Sequence, residues 1–399
     1  MKKKVAVIDQ RYGLEVNGGS EFYAREIAEQ LNKKYDVEVL TSCCIEYVRY
    51  YNHYKAGVEE INGVKVHRFP TEHERIPKLF TPLDIYMQEH PDAPASKSDE
   101  WIEQMGPYVP SLIDYVGEHQ DEFAAIFVIT YLYYPAVKSI LRAPEKAVFI
   151  PTAHPEPFIH FDMYKPVFNS PKAYVFLTEE ERQLVHGIFK NSHIPSVCCG
   201  VGVDVPGTPS EEVFREKFGI KDDYIIYVGR IDDGKGCSQL FNYFLEYKKR
   251  NPGNLKLVLM GKAVIPVPKN PDIISLGFVS EEDKFHGIAG AKALVLPSRF
   301  ESLSIVILEA MTLGRPVIVN GTCDVTKGHC TRSNAGLYYK DYFEFEGAVN
   351  YLLTHPEEYE VMSENAKAYV NKYFRWDVIM EKFDRVIAYV DGEIDHLED

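Results

Sequence analysis

The sequence lacks several patterns that mark common protein classes. It has no GxGxxG, the motif typical of dinucleotide-binding folds, which argues against dinucleotide binding. Its seven cysteines include no CxxC pair with metal or redox spacing, and we interpret them as reduced thiols in the core. Long apolar runs are also missing, because the longest, from Ala124 to Leu141, is interrupted by Thr130, Pro135 and Lys138. Such a run predicts a buried strand and the start of a helix rather than a membrane span.

An excess of positive charge is missing as well. The formal net charge is −15, with −7 in residues 1–200 and −8 in the remainder. Neither half has the excess of basic residues that is typical of nucleic-acid binding, so we expect no nucleic-acid partner. The apolar run after the starting MKKK stops at Asp9, which is too short for the core of a signal peptide. We therefore expect a cytoplasmic protein.

What the sequence does contain is an alternation of short apolar runs with helical patterns, which predicts parallel sheets covered by helices on both faces. We read this as an α/β protein of two Rossmann-like domains, joined by the glycine- and proline-rich segment from Gly200 to Ser210. The predicted strands of the first series are Val5–Asp9, Val37–Ser42, Val64–Phe69, Ala124–Ile129, Ala147–Pro151 and Ala173–Leu177. Those of the second are Tyr224–Gly229, Leu255–Met260, Ile273–Leu276, Ala293–Pro297, Val317–Val319 and Gly336–Tyr338.

A glycine pair follows the first predicted strand. Gly18 and Gly19 come just before a helix that opens at Ser20. Because glycine has no Cβ, an anion can approach the free N–H groups and the positive end of the helix dipole. The pair is a candidate phosphate-binding turn, although an ordinary turn explains two glycines equally well.

The segment YIIYVGRIDDGKG places two cations after a predicted strand. Arg230 follows the strand-ending Gly229, and Lys235 comes five residues later. The match to a P-loop is incomplete, because Gly236 stands where Ser or Thr would hold magnesium and two aspartates inside the loop would repel phosphate. Two cations at the carboxyl end of a strand fit a diphosphate that no metal neutralises. Solvated surface charges remain the alternative.

The segment PSRFESLSIVILEAMTLGRPVIV predicts a helix from about Ser304 to Leu313, ended by a glycine. The helix is apolar on nearly every face and must be buried. Glu309 lies in its middle and needs a partner, because burying an unpaired carboxylate is costly. Either an arginine of the protein or two ligand hydroxyls would satisfy it. Glu301 lies before the first turn, beside the free N–H groups of Leu303 to Ile305.

Together these motifs resemble those of the retaining glycosyltransferases of GT-B fold, glycosyltransferase family 4 (group 1), over essentially the whole chain. The resemblance implies two Rossmann-like domains that face a central cleft. Residues 1–203 would form the N-terminal acceptor-side domain and residues 204–375 the donor-binding domain. A final helix from Trp376, within residues 376–399, would cross back to the N-terminal domain. The matching motifs are Gly18-Gly19, Gly229-Arg230, Lys235-Gly236, Glu301 and Glu309 as E-x7-E, and RWDVIMEKFDRVIAYV.

The resemblance also implies the role of each motif. Arg230 and Lys235 would hold the donor diphosphate, Glu309 the ribose hydroxyls, and Glu301 the transferred sugar. The backbone at Val279 would contact the nucleobase, with Lys284 nearby. His154 matches a histidine near the sugar, and His160 competes with it. The implied catalytic residues are His154, Arg230, Lys235 and Glu301, and the donor contacts are Gly18, Gly19, Arg230, Lys235, Val279, Lys284, Glu301, Leu303, Ser304, Ile305 and Glu309.

The implied activity is transfer of a sugar from a nucleoside-diphosphate sugar to a hydroxyl of a glycan, glycolipid or small molecule, with retention of anomeric configuration. No cofactor is expected, and no metal, since no two aspartates stand two positions apart as in the metal-binding DxD of the other sugar-transferase architecture. The expected partners are the nucleotide-sugar donor and a carbohydrate or lipid-linked acceptor. A peripheral contact with the inner face of the membrane stays compatible with the cytoplasmic expectation.

Two alternatives stay open. A nucleotide-sugar epimerase of the same two-domain shape would hold the nucleotide similarly, and a catalytically silent protein would only bind it. The sugar itself cannot be inferred, because Ser302, Leu303 and Ser304 stand where the family often has glycines.

Overall fold

The computed structural model describes residues 2–16 and 18–397, and the chain divides into two compact units. Unit 1 comprises Met1–Val201 and Ile379–Asp399, and unit 2 comprises Gly202–Val378. Each unit contains one sheet.

The sheet of unit 1 has eight strands in the order β3-β4-β2-β1-β5-β6-β7-β8. All neighbouring strands pair in parallel except β3, which runs antiparallel to β4. The strands are β1 (Lys4–Ile8), β2 (Asp36–Ser42), β3 (Gly57–Ile61), β4 (Val64–Phe69), β5 (Ala125–Ile129), β6 (Ala147–Ile150), β7 (Ala173–Phe176) and β8 (Ser196–Cys198). The α-helices are α1 (Gly19–Asn32), α2 (Pro77–Glu89), α3 (Ala95–Met105), α4 (Pro110–His119), α5 (Tyr134–Arg142), α6 (Tyr164–Phe168) and α7 (Glu179–Phe189).

The sheet of unit 2 has six strands, all paired in parallel, in the order β11-β10-β9-β12-β13-β14. The strands are β9 (Tyr224–Val228), β10 (Lys256–Met260), β11 (Ile273–Ser275), β12 (Ala293–Leu296), β13 (Val317–Asn320) and β14 (Gly336–Tyr339). The helices are α8 (Glu211–Phe218), α9 (Cys237–Arg250), α10 (Glu281–Gly290), α11 (Ile305–Thr312), α12 (Asp324–Ser333), α13 (Tyr342–Thr354) and α14 (Pro356–Tyr373).

The last helix, α15 (Trp376–Val390), begins in unit 2 and continues in unit 1 from Ile379. Its unit 1 portion is amphipathic, and the buried residues are Ile379, Phe383, Val386, Ile387 and Val390. The ring of Phe383 lies 5.2 Å from that of Phe127 on β5, measured between centroids. The final helix therefore completes the core of the unit that contains the start of the chain.

The fold class expected from the sequence is confirmed. All twelve predicted strands are present with ends within one residue. Most of them are short apolar runs, the pattern expected of strands buried on both faces. The segment from Gly200 to Ser210 forms neither helix nor strand, as predicted. Two strands were not predicted, the polar edge strand β3 and the three-residue β8.

Candidate functional site

The strand order of unit 2 points to one edge of its sheet. From β9 the chain moves outward to β10 and β11 and then returns to β12, on the other side of β9. In open parallel sheets, ligands bind beside the carboxyl ends of the strands where the order reverses in this way. The two loops at that point are residues 229–236 after β9 and residues 297–304 after β12.

The loop after β9 is shaped by Asp232. One carboxylate oxygen of this buried residue pairs with Arg230, and the other accepts a hydrogen bond from the backbone N–H of Lys235 at 2.8 Å. Gly236 then starts α9 with a φ of 76°, and an added Cβ would lie 2.6 Å from the carbonyl oxygen of Pro297. Asp232 therefore fixes the loop internally, and the glycine lets it approach the loop after β12.

The structure brings together two predicted site residues from these loops. Lys235 Nζ lies 2.7 Å from Glu301 Oε1, across 66 positions of sequence. The Glu301 side chain is largely buried, whereas 52% of the Arg230 side chain is exposed. The edge thus carries two ion pairs, Arg230 with Asp232 and Lys235 with Glu301.

Glu309 lies in α11 and is only 6% exposed, so the predicted burial is confirmed. Its partner is Lys284 of α10, whose Nζ donates to Oε1 at 2.7 Å, instead of the arginine considered above. Burial raises the pKa of Glu309 against the opposing effect of Lys284. Burial alone would lower the pKa of Lys284, but the carboxylates of Glu309 and Glu281 outweigh it and raise that pKa. Within the described residues, Glu309 Oε2 accepts no hydrogen bond and is not fully shielded from solvent.

The N-terminus of α11 has an unusual backbone. Ser304, the N-cap, has φ 65° and ψ 73°, in the left-handed region that favours glycine. It makes no side-chain cap, and its buried Oγ has no hydrogen-bond partner in the described part of the chain. Ser304 thus adopts a backbone conformation that glycine takes up more readily than serine. The first-turn N–H groups, with Ile305 as the first helical residue, are left without a side-chain acceptor from the cap.

Val279 lies on the connection between β11 and α10, one residue before the Ser280 that caps α10 by accepting the N–H of Asp283. Gly277, two residues earlier, has a φ of 72°, and its carbonyl accepts the N–H of Gly261 at 2.8 Å. The connection is thus tied to the end of β10, two strands away from β12.

In unit 1, the glycine turn before α1 already contains an anion from the chain. An added Cβ on Gly18 would lie 1.9 Å from Glu21 Oε2, whereas Gly19 has open space around it. The buried Glu21 carboxylate pairs with Arg11 and accepts a hydrogen bond from Gln10 Nε2 at 2.9 Å. The expected phosphate approach at Gly18 therefore competes with this carboxylate.

His154 follows β6 in unit 1, and its side chain is partly exposed. Its Nε2 lies 3.7 Å from Glu156 Oε1, which also accepts the hydroxyl of buried Tyr131 at 2.5 Å. The neighbouring Ala153 donates its N–H to the buried Glu181 at 2.6 Å. Two carboxylates thus hold the His154 loop, while His160 is solvent-exposed.

One residue at the site was not predicted. His329 of α12 is fully buried, and its Nε2 lies 3.1 Å from the carbonyl oxygen of Leu303. A single histidine in a polar helix carries no signal in the sequence that would connect it to a loop 26 positions away.

The described residues lack both a metal-binding cluster and a membrane-spanning helix. Residues 2–16 and 18–397 contain no group of three or more His, Cys, Asp or Glu side chains that could hold a metal ion. No helix over the same residues combines the length and apolarity needed to cross a membrane.

Comparison with known proteins agrees with this geometry. Residues 210–369, which include both site loops, match the family model "Glycosyl transferases group 1". Sucrose-phosphate synthase from Thermosynechococcus elongatus superposes with a TM-score of 0.72 at 15% identity, over 98% of this chain and 100% of that one. HepE from Anabaena, solved with UDP and glucose, gives a TM-score of 0.68 at 14% identity, over 97% and 99%. The chain has the GT-B fold.

The GT-B protein is also similar in sequence to alpha-D-kanosaminyltransferase from Streptomyces kanamyceticus, with 33% identity over 168 residues. The match covers 38% of this chain and 42% of that enzyme. The chain thus spans less than half the length of the curated relative, and the group 1 match lies in the unit that carries the site loops.

Proposed function

We propose that this protein is a retaining, family 4-like glycosyltransferase that transfers a sugar from a nucleoside-diphosphate sugar to a hydroxyl acceptor. The observation that carries the proposal is the paired Lys235 and Glu301, held at 2.7 Å where the strand order of unit 2 reverses. The group 1 family match over this unit supports it, as does the UDP bound in the GT-B neighbour HepE.

In the proposed site, Lys235 and the exposed Arg230 neutralise the donor diphosphate. The α11 N-terminus adds free N–H groups and the unpartnered Ser304 hydroxyl, which suit an anion. The leaving diphosphate gains negative charge in the transition state, and fixed cations stabilise that developing charge. These contacts supply what a metal does elsewhere, so we propose a metal-independent reaction.

The nucleoside would occupy the α10–α11 side of the same edge. Glu309 Oε1 is engaged by Lys284, which leaves Oε2 for the ribose hydroxyls. Backbone groups at Val279 would contact the base, and Glu301 the transferred sugar. On unit 1, Gly18, Gly19 and His154 remain proposed donor contacts, with the Glu21 carboxylate as the competitor already described at Gly18.

The experiment that tests the class is incubation with UDP-, GDP- and ADP-sugars, with and without sugar and lipid-linked acceptors. A transferase forms product only with an acceptor, or slowly hydrolyses the donor, and NMR of the product then shows whether the α or β configuration of the donor is retained. An epimerase changes the donor alone, and a silent protein does neither. Activity lost in EDTA and restored by magnesium or manganese would contradict metal independence.

Arg230→Ala and Lys235→Ala test the diphosphate assignment. Each should lower turnover by about 100-fold, in the range found when one group that stabilises transition-state charge is removed. Lys249→Ala is the matched control, because Lys249 is an exposed lysine on α9 paired only with Glu246 in the described contacts. Activity within about twofold of wild type for both site variants would reject the assignment.

A further inference from the structure

The loop that carries Glu301 is anchored from behind by a buried hydrogen-bond chain. The Leu303 carbonyl oxygen can only accept, so the His329 Nε2 at 3.1 Å must carry the proton and donate it. His329 Nδ1 is then an acceptor for the Tyr369 hydroxyl at 3.0 Å. Arg332 Nε lies 3.4 Å from the oxygen of that hydroxyl. This chain of hydrogen bonds thus connects α12 and α14 to the backbone immediately before Ser304.

His329 is neutral in this arrangement. Burial, together with the charge of Arg332, lowers its pKa to about 3 against the opposing effect of the hydrogen bond to Leu303. A neutral imidazole with one proton has one donor and one acceptor, and both are used here. The geometry therefore defines a single tautomer.

The anchored carbonyl lies next to a strained residue. A non-glycine residue in the left-handed region is strained, and it persists only where the surroundings fix it. Ser304 is such a residue, with φ 65°. On one side the Leu303 carbonyl is held by His329, and on the other the Ser304 carbonyl accepts the N–H of Ile307 at 3.0 Å.

We propose that His329 is a positioning residue that holds Leu303–Ser304 in the left-handed turn and so directs the Ser304 hydroxyl and the α11 N-terminus towards the donor diphosphate. The identity of the ligand rests on the proposed function. The anchoring of the loop by His329 is a property of the chain alone and is tested without any ligand.

The first test is hydrogen–deuterium exchange of residues 301–307 in the full chain. His329→Leu should raise exchange there about tenfold or more relative to wild type, because local opening no longer breaks the buried hydrogen bond. His329→Gln, whose side-chain amide can still donate, should stay within about threefold of wild type. The control is His286→Gln, because His286 is a buried histidine that contacts Ser210 and lies outside the loop. Unchanged exchange at 301–307 in His329→Leu, or an equal rise throughout unit 2, would overturn the proposal.

The second test is the affinity for bare UDP, GDP and ADP, combined with Ser304→Gly. His329→Leu should lower the affinity for the nucleotide about tenfold. In the Ser304→Gly background, His329→Leu should lower the affinity less than about threefold, because glycine adopts the left-handed turn without an anchor. Equal losses in both backgrounds would overturn the positioning role. If wild type binds none of the three nucleotides, the proposed function fails, and the exchange experiment still decides the role of His329.

Discussion

At the scale of single residues, Lys284 is shared by two acids of different exposure. Its Nζ lies 2.7 Å from the buried Glu309 and 2.6 Å from Glu281, whose side chain is 68% exposed. An exposed pair contributes little in water, whereas a buried charge that loses its partner is costly. Substituting each acid in turn therefore distinguishes a residue that binds ligand from one that only pairs with Lys284 at the surface.

We predict that Glu309→Ala weakens nucleotide binding by about 10- to 100-fold, since a hydrogen bond to a charged group contributes roughly 1.5–3 kcal/mol. Glu281→Ala should leave the affinity near that of wild type. Calorimetric titration with UDP, GDP and ADP measures both variants. A large fall in the melting temperature of ligand-free Glu309→Ala with unchanged affinity would make Glu309 a structural ion-pair member.

His329 predicts a specific pH dependence of stability. Its native pKa of about 3 lies below the ordinary 6.5, so between these values the unfolded chain binds a proton that the native chain does not. The free energy of unfolding is therefore unaffected by this histidine above pH 6.5 and decreases as the pH falls below that value. Wild type should therefore lose up to about 1.4 kcal/mol per pH unit more than His329→Gln in this range. Urea unfolding at pH 7 and pH 5 measures the difference, and equal pH slopes for the two proteins would contradict it.

At the scale of elements, the sequence was sufficient where burial leaves a continuous pattern. Most of the inner strands contain a short apolar run, as β5 illustrates with five buried apolar residues. The strand β3 was missed because it pairs on one side only and four of its five residues are exposed, so GVEEI has no apolar run. Edge position is set by tertiary structure and not by the strand itself.

The same limit applies to the site. Residue types and strand ends placed Arg230, Lys235, Glu301 and Glu309 in the predicted loops and helix, and the need for a partner to Glu309 followed from its burial. The partner itself lies 25 positions away, and neither that distance nor the environment of His329 is encoded in local spacing. Which side chains meet depends on how the helices pack.

The turn between β9 and α9 depends on the glycine at position 236. Gly236→Ala should cost about 1–3 kcal/mol in unfolding free energy, because alanine at positive φ is strained and its Cβ would meet the Pro297 carbonyl. The displaced Lys235 should also bind nucleotide less well. Gly253→Ala, with open space around it, should stay within about 0.5 kcal/mol of wild type. Chemical unfolding and nucleotide titration measure both, and wild-type behaviour of Gly236→Ala would disprove the close approach of the two loops.

For the molecule as a whole, α15 is the helix that returns to unit 1 after unit 2 and contributes buried residues to its core. Phe383→Ala removes a fully buried ring that packs on Phe127 and should cost roughly 3–5 kcal/mol. The nucleotide binding proposed for unit 2 should persist wherever the chain stays folded. The control is Glu381→Ala, an exposed position on the same helix. Calorimetric melting measures the effect, and a melting curve like that of wild type would show that the helix does not complete the core of unit 1.

The division of unit 1 between two stretches of sequence also has a consequence for biosynthesis. Unit 2 is continuous, from Gly202 to Val378, so all of it has emerged from the ribosome before the helix that unit 1 still needs. Domains generally fold as units while the chain is being made. Unit 2 can therefore finish folding first, whereas the unit that contains the N-terminus keeps an uncovered apolar face until Phe383 and its neighbours have been synthesised. The stretch of unit 1 that precedes unit 2 in the sequence thus belongs to a core that is completed after unit 2 has been made.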